Sequence, residues 1–248
     1  MNLFYRITIL YVLSLALPAG ADLAVDAVRS SGVRGGLVVH VGATSPDEMA
    51  ALRLNDRYMV QGLSTSVQAV EKVRNTLHER GLYGPVSMEQ FNGRSLPYIE
   101  NFVNLLVVEE NVKVAQKELL RVLVPEGVAL IRRDGAWEKI VKARPEEIDD
   151  WTHYFHNPSG NAVAQDTVVG PPRRLQWVGS PRWSRHHDRM ASMSALVSGG
   201  GRMFYIMDEG SRVSIQLPSS WQLIARDAFN GAVLWKRPIT KTMQLNTT

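Results

Sequence analysis

The sequence contains no cysteine among its 248 residues. Disulfide bonds, thiolate metal sites and cysteine nucleophiles are therefore excluded. The chain also lacks a strong excess of charge of either sign, because 28 Lys and Arg residues are balanced by 24 Asp and Glu residues, for a formal net charge of +4. Such a small excess gives no reason to expect nucleic-acid binding without a clustered basic face. We therefore predict no nucleic-acid partner.

The sequence also lacks an apolar run long enough to span a bilayer, which takes about 20 residues in a helix. The longest candidate, residues 7–17, follows Arg6 and ends at Pro18. A basic residue, a short apolar core and the small residues 19–21 form the pattern of a secretory signal peptide. An uncleaved anchor or a buried helix is the alternative. We expect residues 1–21 to be a cleaved signal peptide, the mature chain to be exported to the periplasm or the extracellular space, and no stable membrane span to remain.

Strand and helix patterns alternate up to about residue 135. The apolar run 37–41, followed by Gly42 and a polar turn, predicts a buried strand of a parallel sheet. A buried edge of another α/β fold stays open as an alternative. Further strands are predicted at residues 58–62, 85–89, 102–108 and 128–131, and helices at residues 24–31, 47–53, 66–80 and 112–123. Ser45 and Ser66 are predicted to cap the helices at 47–53 and 66–80, with Pro46 at the first helical position of the former. This succession predicts a right-handed parallel sheet whose ligands bind at the carboxyl ends of its strands.

Four segments in this half resemble the class I S-adenosylmethionine-dependent methyltransferases that act on small molecules. Residues 62–66 (GLSTS) are similar to the family's GVDxS segment, and residues 92–97 (NGRSLP) to its DAxxLP segment. Residues 104–108 (NLLVV) are similar to DLVV, and residues 119–127 (LLRVLVPEG) to RVLKPGG. The four stand in the family's order. The resemblance implies an α/β Rossmann-like (methyltransferase-type) parallel sheet with S-adenosylmethionine as its cofactor.

The resemblance also implies which residues would contact that cofactor. They are Gly42, Ala43, Thr44, Ser64, Asn92 and Gly93. In the family an acidic residue precedes three spaced glycines. Here His40 stands at the acidic position, and Thr44 and Pro46 replace two of the glycines, so that a β-carbon and a fixed ring crowd the loop.

Two further departures concern the carboxylates that hold the ribose and the adenine. Ser64 and Asn92 replace them, and a hydrogen bond to a charged group contributes roughly 1.5–3 kcal/mol. We therefore expect a degenerate site with no catalytic residue and no metal. The alternative is an active S-adenosylmethionine-dependent methyltransferase with an unknown acceptor. His40 is interpreted as a satisfied core histidine.

Residues 136–164 form a predicted junction, because the sheet pattern fades after Arg133 and leaves no room for a completing antiparallel hairpin. Residues 146–154 are predicted to form a short acidic helix. The sequence places four potential metal ligands close together, namely Asp149, Asp150, His153 and His156. An acidic helix start with amphipathic histidines is the preferred interpretation, since no ligand spacing fixes a metal geometry.

The last part of the chain has an all-β pattern. Short strand-like runs occur at residues 175–178, 194–198, 203–207, 222–226 and 233–236, separated by turn residues. Residues 223–235 (LIARDAFNGAVLW) resemble the LxAxDAxTGxxLW repeat of pyrroloquinoline-quinone-type β-propellers. In that family Asp227 and Gly231 would shape the outer hairpin and Trp235 would pack between blades, which implies no bound pyrroloquinoline quinone. Because the motif occurs once, we predict about one blade and not a closed propeller.

A polar cluster precedes this motif. It combines arginines with aromatic and other polar residues: Arg173, Arg174, Arg182, Arg185 and Arg189 with Trp177, Trp183, His186, His187 and Asp188. The cluster is either an anion- or sugar-binding rim or a solvated loop whose arginines stack on tryptophans. An unknown ligand or protein partner is expected at the propeller loops.

The predicted domains are a signal peptide (1–21), a methyltransferase-like domain (22–135), a junction (136–164) and a partial propeller segment (165–248). This order resembles large exported proteins of environmental bacteria, and the chain resembles the N-terminal part of one. The sequence therefore predicts an exported two-part protein with a binding or scaffold role.

Overall fold

The computed structural model describes residues 19–168, 170, 175–180, 193–214 and 216–239. The predicted signal peptide lies outside these residues except for its last three, which form the first turn of helix α1 (Ala19–Ser31). Its cleavage stays a prediction. In the described part of the chain, no helix is both long and apolar enough to cross a membrane.

The first half forms a six-stranded sheet flanked by helices. Its strands are β1 (Gly36–Val41), β2 (Tyr58–Ser64), β3 (Val86–Gln90), β4 (Val103–Val108), β5 (Leu123–Arg133) and β6 (Ala136–Val141). The helices that follow α1 are α2 (Pro46–Leu52), α3 (Val67–Glu79) and α4 (Gln116–Val122). The strand order is β3-β2-β1-β4-β5-β6, with β6 antiparallel to β5 and the other pairs parallel. This is the predicted Rossmann-like fold, with its topological switch point between β1 and β4.

The strands β1 and β4 lie at the centre of the sheet, and helices cover both of their faces, which explains their uninterrupted apolar sequences. Every residue of both strands is buried. Val38 and Leu105 pack on the face covered by α1, α2 and α3, whereas Val39 and Leu106 pack on the face covered by α4. Burying a side chain of this size contributes about 1.5–3 kcal/mol, so these two strands anchor the domain.

Local capping signals were predicted correctly. Ser45 Oγ accepts a hydrogen bond from Glu48 N at 3.3 Å, and Pro46 occupies the first helical position of α2. Ser66 Oγ accepts from Ala69 N at 3.3 Å at the start of α3. These contacts satisfy backbone donors that a helix start otherwise leaves free.

The prediction that the sheet ends at Arg133 is wrong. Asp134 and Gly135 both have positive φ angles, of 47° and 78°, and they join β5 to an antiparallel β6. An Asp-Gly pair favours this type of two-residue hairpin. The predicted start of the fifth strand at residue 128 is also wrong, because β5 already begins at Leu123, and Glu126 (φ 63°) lies within the strand, near an irregularity in its pairing with β4.

The second half forms a separate four-stranded antiparallel sheet. Its strands are β7 (Met193–Gly199), β8 (Arg202–Asp208), β9 (Trp221–Asp227) and β10 (Val233–Pro238), in the order β10-β9-β8-β7. The predicted all-β segment is confirmed. Whether it is a propeller blade stays a prediction, as do the domain boundaries.

The strand predicted at residues 175–178 is absent, because its side chains bind the β9–β10 turn. Gln176 Nε2 donates to Phe229 O at 2.8 Å, and Trp177 Nε1 donates to Ala228 O at 3.1 Å. These contacts hold Gln176 and Trp177 against the turn.

The acidic helix predicted at residues 146–154 is also absent. Trp151 exchanges two hydrogen bonds with Ser198 of β7, from Trp151 N to Ser198 Oγ at 2.9 Å and from Ser198 N to Trp151 O at 2.7 Å. This segment therefore runs beside the outer strand of the second sheet, and pairing with that strand replaces the helical hydrogen bonds.

Candidate functional site

The six predicted cofactor residues lie at the carboxyl ends of β1, β2 and β3. The strand β1 ends at Val41, and the next residue is Gly42, whose φ of 91° favours glycine. Gly42 N and Ala43 N both donate to Leu63 O, at 2.8 and 3.1 Å. Ala43 is fully buried and Thr44 is exposed. The first two backbone donors of the loop are therefore used within the sheet.

The space beside Gly42 is occupied by the segment that follows β4. A β-carbon placed on Gly42 would lie 2.7 Å from Val112 Cγ2, 3.0 Å from Glu109 Cβ and 3.1 Å from Asn111 Oδ1. Distances of this size are closer than side-chain packing normally allows. The segment that follows β4 thus packs against the backbone of Gly42, in the space that a ligand would otherwise occupy.

The polar groups at the ends of β2 and β3 bond locally. The buried Ser64 accepts from Ser66 N at 3.3 Å through its hydroxyl oxygen. Asn92 Oδ1 accepts from Arg94 N and Ser95 N, at 2.9 and 2.8 Å, and so closes its own loop. Gly93 has a φ of 78° and lies against the Thr65 side chain. The structure brings the predicted residues to one edge, but these side chains stabilise their own turns.

Sequence reasoning missed a charged cluster at the switch point. His40 Nε2 lies 2.9 Å from Glu109 Oε1, and Arg132 Nη1 lies 3.4 Å from Glu109 Oε2. The three residues come from β1, the end of β4 and β5. Glu109 directly follows the predicted strand 102–108. A carboxylate at the carboxyl end of a central strand could therefore have indicated this cluster from the sequence.

The environment of this cluster stabilises a carboxylate. The hydrogen bond from His40, with a smaller effect of Arg132, holds the pKa of Glu109 below its usual value, although burial opposes the shift. His40 is only 2% exposed, and its Nδ1 has no hydrogen-bond partner among the described residues. The prediction of a core histidine is confirmed, although only Nε2 of its ring has a hydrogen-bond partner among the described residues.

Two cavities lie near the sheet edges. One of about 310 Å³ adjoins the cluster and is lined by Glu109, Val112 and Arg132 together with neighbouring residues of β5 and β6. A larger one, of about 640 Å³, lies at the opposite, amino edge between the two sheets. None of the six predicted cofactor residues lines either cavity.

The candidate metal ligands at residues 149–156 bond to different groups. His156 Nε2 lies 2.5 Å from Asp149 Oδ2, Asp150 pairs with Arg144 at 3.0 Å, and His153 Nδ1 lies 2.9 Å from the Thr152 hydroxyl. Among the described residues, no group of three His, Asp or Glu side chains is placed to hold a metal ion. The polar cluster at residues 173–189 lies outside the described residues except for Trp177 and the other residues of 175–180.

No protein-family model matches the chain, and no curated protein matches it. Among solved structures, one similar protein is a proposed S-adenosyl-L-methionine-dependent methyltransferase of Methanococcus maripaludis, with 19% identity over 45% of this chain and 53% of that chain, at a TM-score of 0.40. Another is the geranyl diphosphate C-methyltransferase of Streptomyces coelicolor, with 18% identity over 46% of this chain and 44% of that chain, also at a TM-score of 0.40. The cyclase SpnF shows 24% identity over 46% of both chains, at a TM-score of 0.39.

This chain spans about half the length of the solved structures it matches. The likeness concerns the fold of an α/β sheet, and chemistry has to be argued from the residues of this chain.

Proposed function

We propose that this chain is a binding or scaffold protein whose first half keeps a methyltransferase-like fold and has lost the S-adenosylmethionine site. The observation that carries the proposal is the occupied space beside Gly42, where Val112, Glu109 and Asn111 would all crowd a single added β-carbon. A ligand that approaches the backbone at a glycine turn needs that space.

The polar groups at this edge support the same conclusion. Gly42 N and Ala43 N already donate to Leu63 O, so they offer no free donor to a ligand carboxylate. The hydroxyl of Ser64 accepts from Ser66 N and carries no charge to hold a ribose. Each carboxylate missing from such a site removes roughly 1.5–3 kcal/mol. The residues present do not fit S-adenosylmethionine.

The second sheet supports the binding role through its hairpin. Asp227 Oδ1 accepts from Phe229 N at 2.9 Å and from Asn230 N at 3.0 Å, and Gly231 has a φ of 73°. These are the turn roles that the propeller-repeat resemblance implies for Asp227 and Gly231. We therefore propose that the sheet is a propeller-type blade, without bound quinone, whose loops take part in binding an unknown ligand or protein.

Calorimetric titration of the whole chain with S-adenosylmethionine tests the proposal. We expect no binding tighter than about 1 mM, which corresponds to about −4 kcal/mol. A Ser64→Asp variant restores a carboxylate and so tests whether its absence alone, and not the filled space beside Gly42, prevents binding. Ser95→Asp adds the same charge at an exposed position and is the matched control. Because the space beside Gly42 stays filled, neither variant should gain affinity. Micromolar binding by the unaltered chain would contradict the proposal and favour an active methyltransferase.

We also propose that the chain is exported, on the basis of the leader pattern at residues 1–21. Mass spectrometry of the protein purified from its source is expected to find a mature chain that begins at Asp22. Intact Met1 on soluble cytosolic protein would contradict export.

A further inference from the structure

The larger cavity lies at the amino edge of the parallel sheet, where the second sheet packs against it. Its volume is about 640 Å³. The first sheet contributes the amino ends of β4 and β5, including Asn104 and Val124, and the second contributes Phe204 of β8 and Trp235 of β10. Pockets for small molecules occur preferentially at such junctions between structural units.

A buried hydrogen-bond network fixes the two walls of this cavity. Asn104 Oδ1 accepts from Leu37 N at 2.8 Å and from Asn230 Nδ2 at 2.6 Å, and Asn104 Nδ2 donates to Asp227 Oδ2 at 2.7 Å. Asn104 and Asp227 are both buried. Buried polar groups with all these partners specify one arrangement, because any other leaves them unpaired. The cavity is therefore a defined space between two fixed walls.

The charged groups of the cavity are mostly basic. Four basic side chains line it, Arg34, Arg57, Lys139 and Arg202, against the acidic Glu126 and Asp227. The carboxylate of Asp227 already accepts three hydrogen bonds within the network and the hairpin turn. Lys139 donates to the carbonyls of Ser30 and Ser31 at the end of α1.

Three arginines remain for a ligand. Arg34, Arg57 and Arg202 are exposed, and among the described residues none of them pairs with a carboxylate. Arg57 precedes β2 of the first sheet and Arg202 begins β8 of the second, so the guanidinium groups come from both walls. Arginine is suited to carboxylate, sulfate and phosphate groups, because its planar fork can donate two parallel hydrogen bonds.

The remaining wall is apolar and leaves room for a ligand body. The half-buried Trp235 lies with its ring centroid 6.0 Å from that of Phe204, and Leu234 lines the cavity beside them. Gly32, at the end of α1, would have no atom within 4 Å of an added β-carbon. At Gly32, therefore, no side chain fills the space beside the backbone.

We propose that this cavity binds an organic anion, in which a carboxylate, sulfate or phosphate group is attached to a flat apolar body. Arg57 and Arg202 hold the anionic group, while Trp235 and Phe204 contact the body. The inference rests on the proposed binding role and adds the class of ligand. It does not depend on S-adenosylmethionine, whose predicted residues lie at the opposite edge of the sheet.

Calorimetric titration of the whole chain with 1-naphthyl phosphate tests the inference, with inorganic phosphate and 1-naphthol as the charge-only and apolar-only probes. We expect saturable binding of 1-naphthyl phosphate, at least about tenfold tighter than of either control probe. Arg57→Gln and Arg202→Gln should each weaken it about tenfold, since each removes a charge-assisted hydrogen bond. Arg94→Gln, an exposed change at the carboxyl edge, is the matched control and should leave affinity unchanged.

Three outcomes would overturn the inference. They are the absence of saturable binding up to about 1 mM, equal affinity in the Arg57→Gln and Arg94→Gln variants, and equal binding of inorganic phosphate and 1-naphthyl phosphate. Thermal melts of each variant show that the fold is retained. A failure of the proposed function is distinguishable, because S-adenosylmethionine would then bind regardless of substitutions at Arg57 and Arg202.

Discussion

The two edges of the parallel sheet differ in how their space is used. At the carboxyl edge, Gly42 is covered by Val112, and the nearby polar groups bond within their own loops. At the amino edge, a second sheet leaves a cavity of about 640 Å³ with arginines from both walls. The edge at which such folds ordinarily bind ligands is therefore filled here at its glycine turn, and the other edge is open. The fold sets where strands end, but the packing of later segments decides which end can hold a molecule.

Glycine substitutions give the largest expected effects. In Gly36→Ala at the amino edge, the new β-carbon would lie 2.0 Å from Asn104 Oδ1 at a φ of 101°, so we expect a loss of about 3–5 kcal/mol in the free energy of unfolding. In Gly42→Ala at the carboxyl edge, the nearest atom is a side-chain methyl at 2.7 Å, so we expect a smaller loss of about 2–3 kcal/mol. Urea unfolding measures both.

Gly84→Ala is the matched control for these glycine variants. Its φ is also positive, at 121°, but no atom lies within 4 Å of the added β-carbon. It should cost about 1–2 kcal/mol, from backbone strain alone. If Gly36→Ala costs no more than Gly84→Ala, the close packing of the amino edge against Asn104 is contradicted.

Asparagine substitutions test the same contrast at the level of hydrogen bonds. Asn104→Ala leaves Leu37 N and Asp227 Oδ2 without these partners in a buried setting, so we expect a loss of about 2–3 kcal/mol. Asn92→Ala removes two bonds at an exposed turn of the carboxyl edge and should cost about 1 kcal/mol or less. Asn104→Ala should also separate the melting of the two sheets. If both variants lose the same free energy of unfolding and each melts in a single transition, Asn104 does not hold the two sheets together.

The smallest expected effect is a pH dependence at the carboxyl edge. The pKa of Glu109 is lowered in the folded protein, first by the His40 hydrogen bond and also by Arg132. A lowered pKa means that the contribution to stability is complete above the unfolded pKa of a glutamate and is lost as pH falls through the folded value. Stability should therefore fall more between pH 7 and pH 3 in the parent protein than in Glu109→Gln, by at most about 1 kcal/mol.

This comparison isolates one carboxyl group. Arg121 lowers the pKa of Glu118 as well. The resulting pH dependence of stability is the same in the parent and in Glu109→Gln, so it cancels in the difference between them. Parallel pH curves for the two proteins would show that the His40 contact contributes nothing to stability.

Several strands and helices could be predicted from the sequence, because the residues that specify them are neighbours in the chain. The strands β1 and β4 were predicted from uninterrupted apolar runs, and α2 and α3 from Ser45 and Ser66 as caps. The hairpin at Asp134-Gly135 carried an equally local signal that the sequence interpretation overlooked. The error at residues 175–178 had another origin, because the side chains of Gln176 and Trp177 bond to a turn about fifty residues later.

The sequence by itself determined the succession of elements from α1 to β5, the Rossmann-like class of the first sheet, the all-β character of the second and the edge at which Gly42, Ser64 and Asn92 lie. These depend on periodicity, capping and turn preference, which act over a few residues. Only the tertiary structure decided that Val112 covers Gly42, that Glu109 bonds to His40 and that Asn104 bonds to Asp227, 123 positions away. Such contacts depend on the packing of distant segments, and no local pattern specifies where a side chain ends once the sheets have packed.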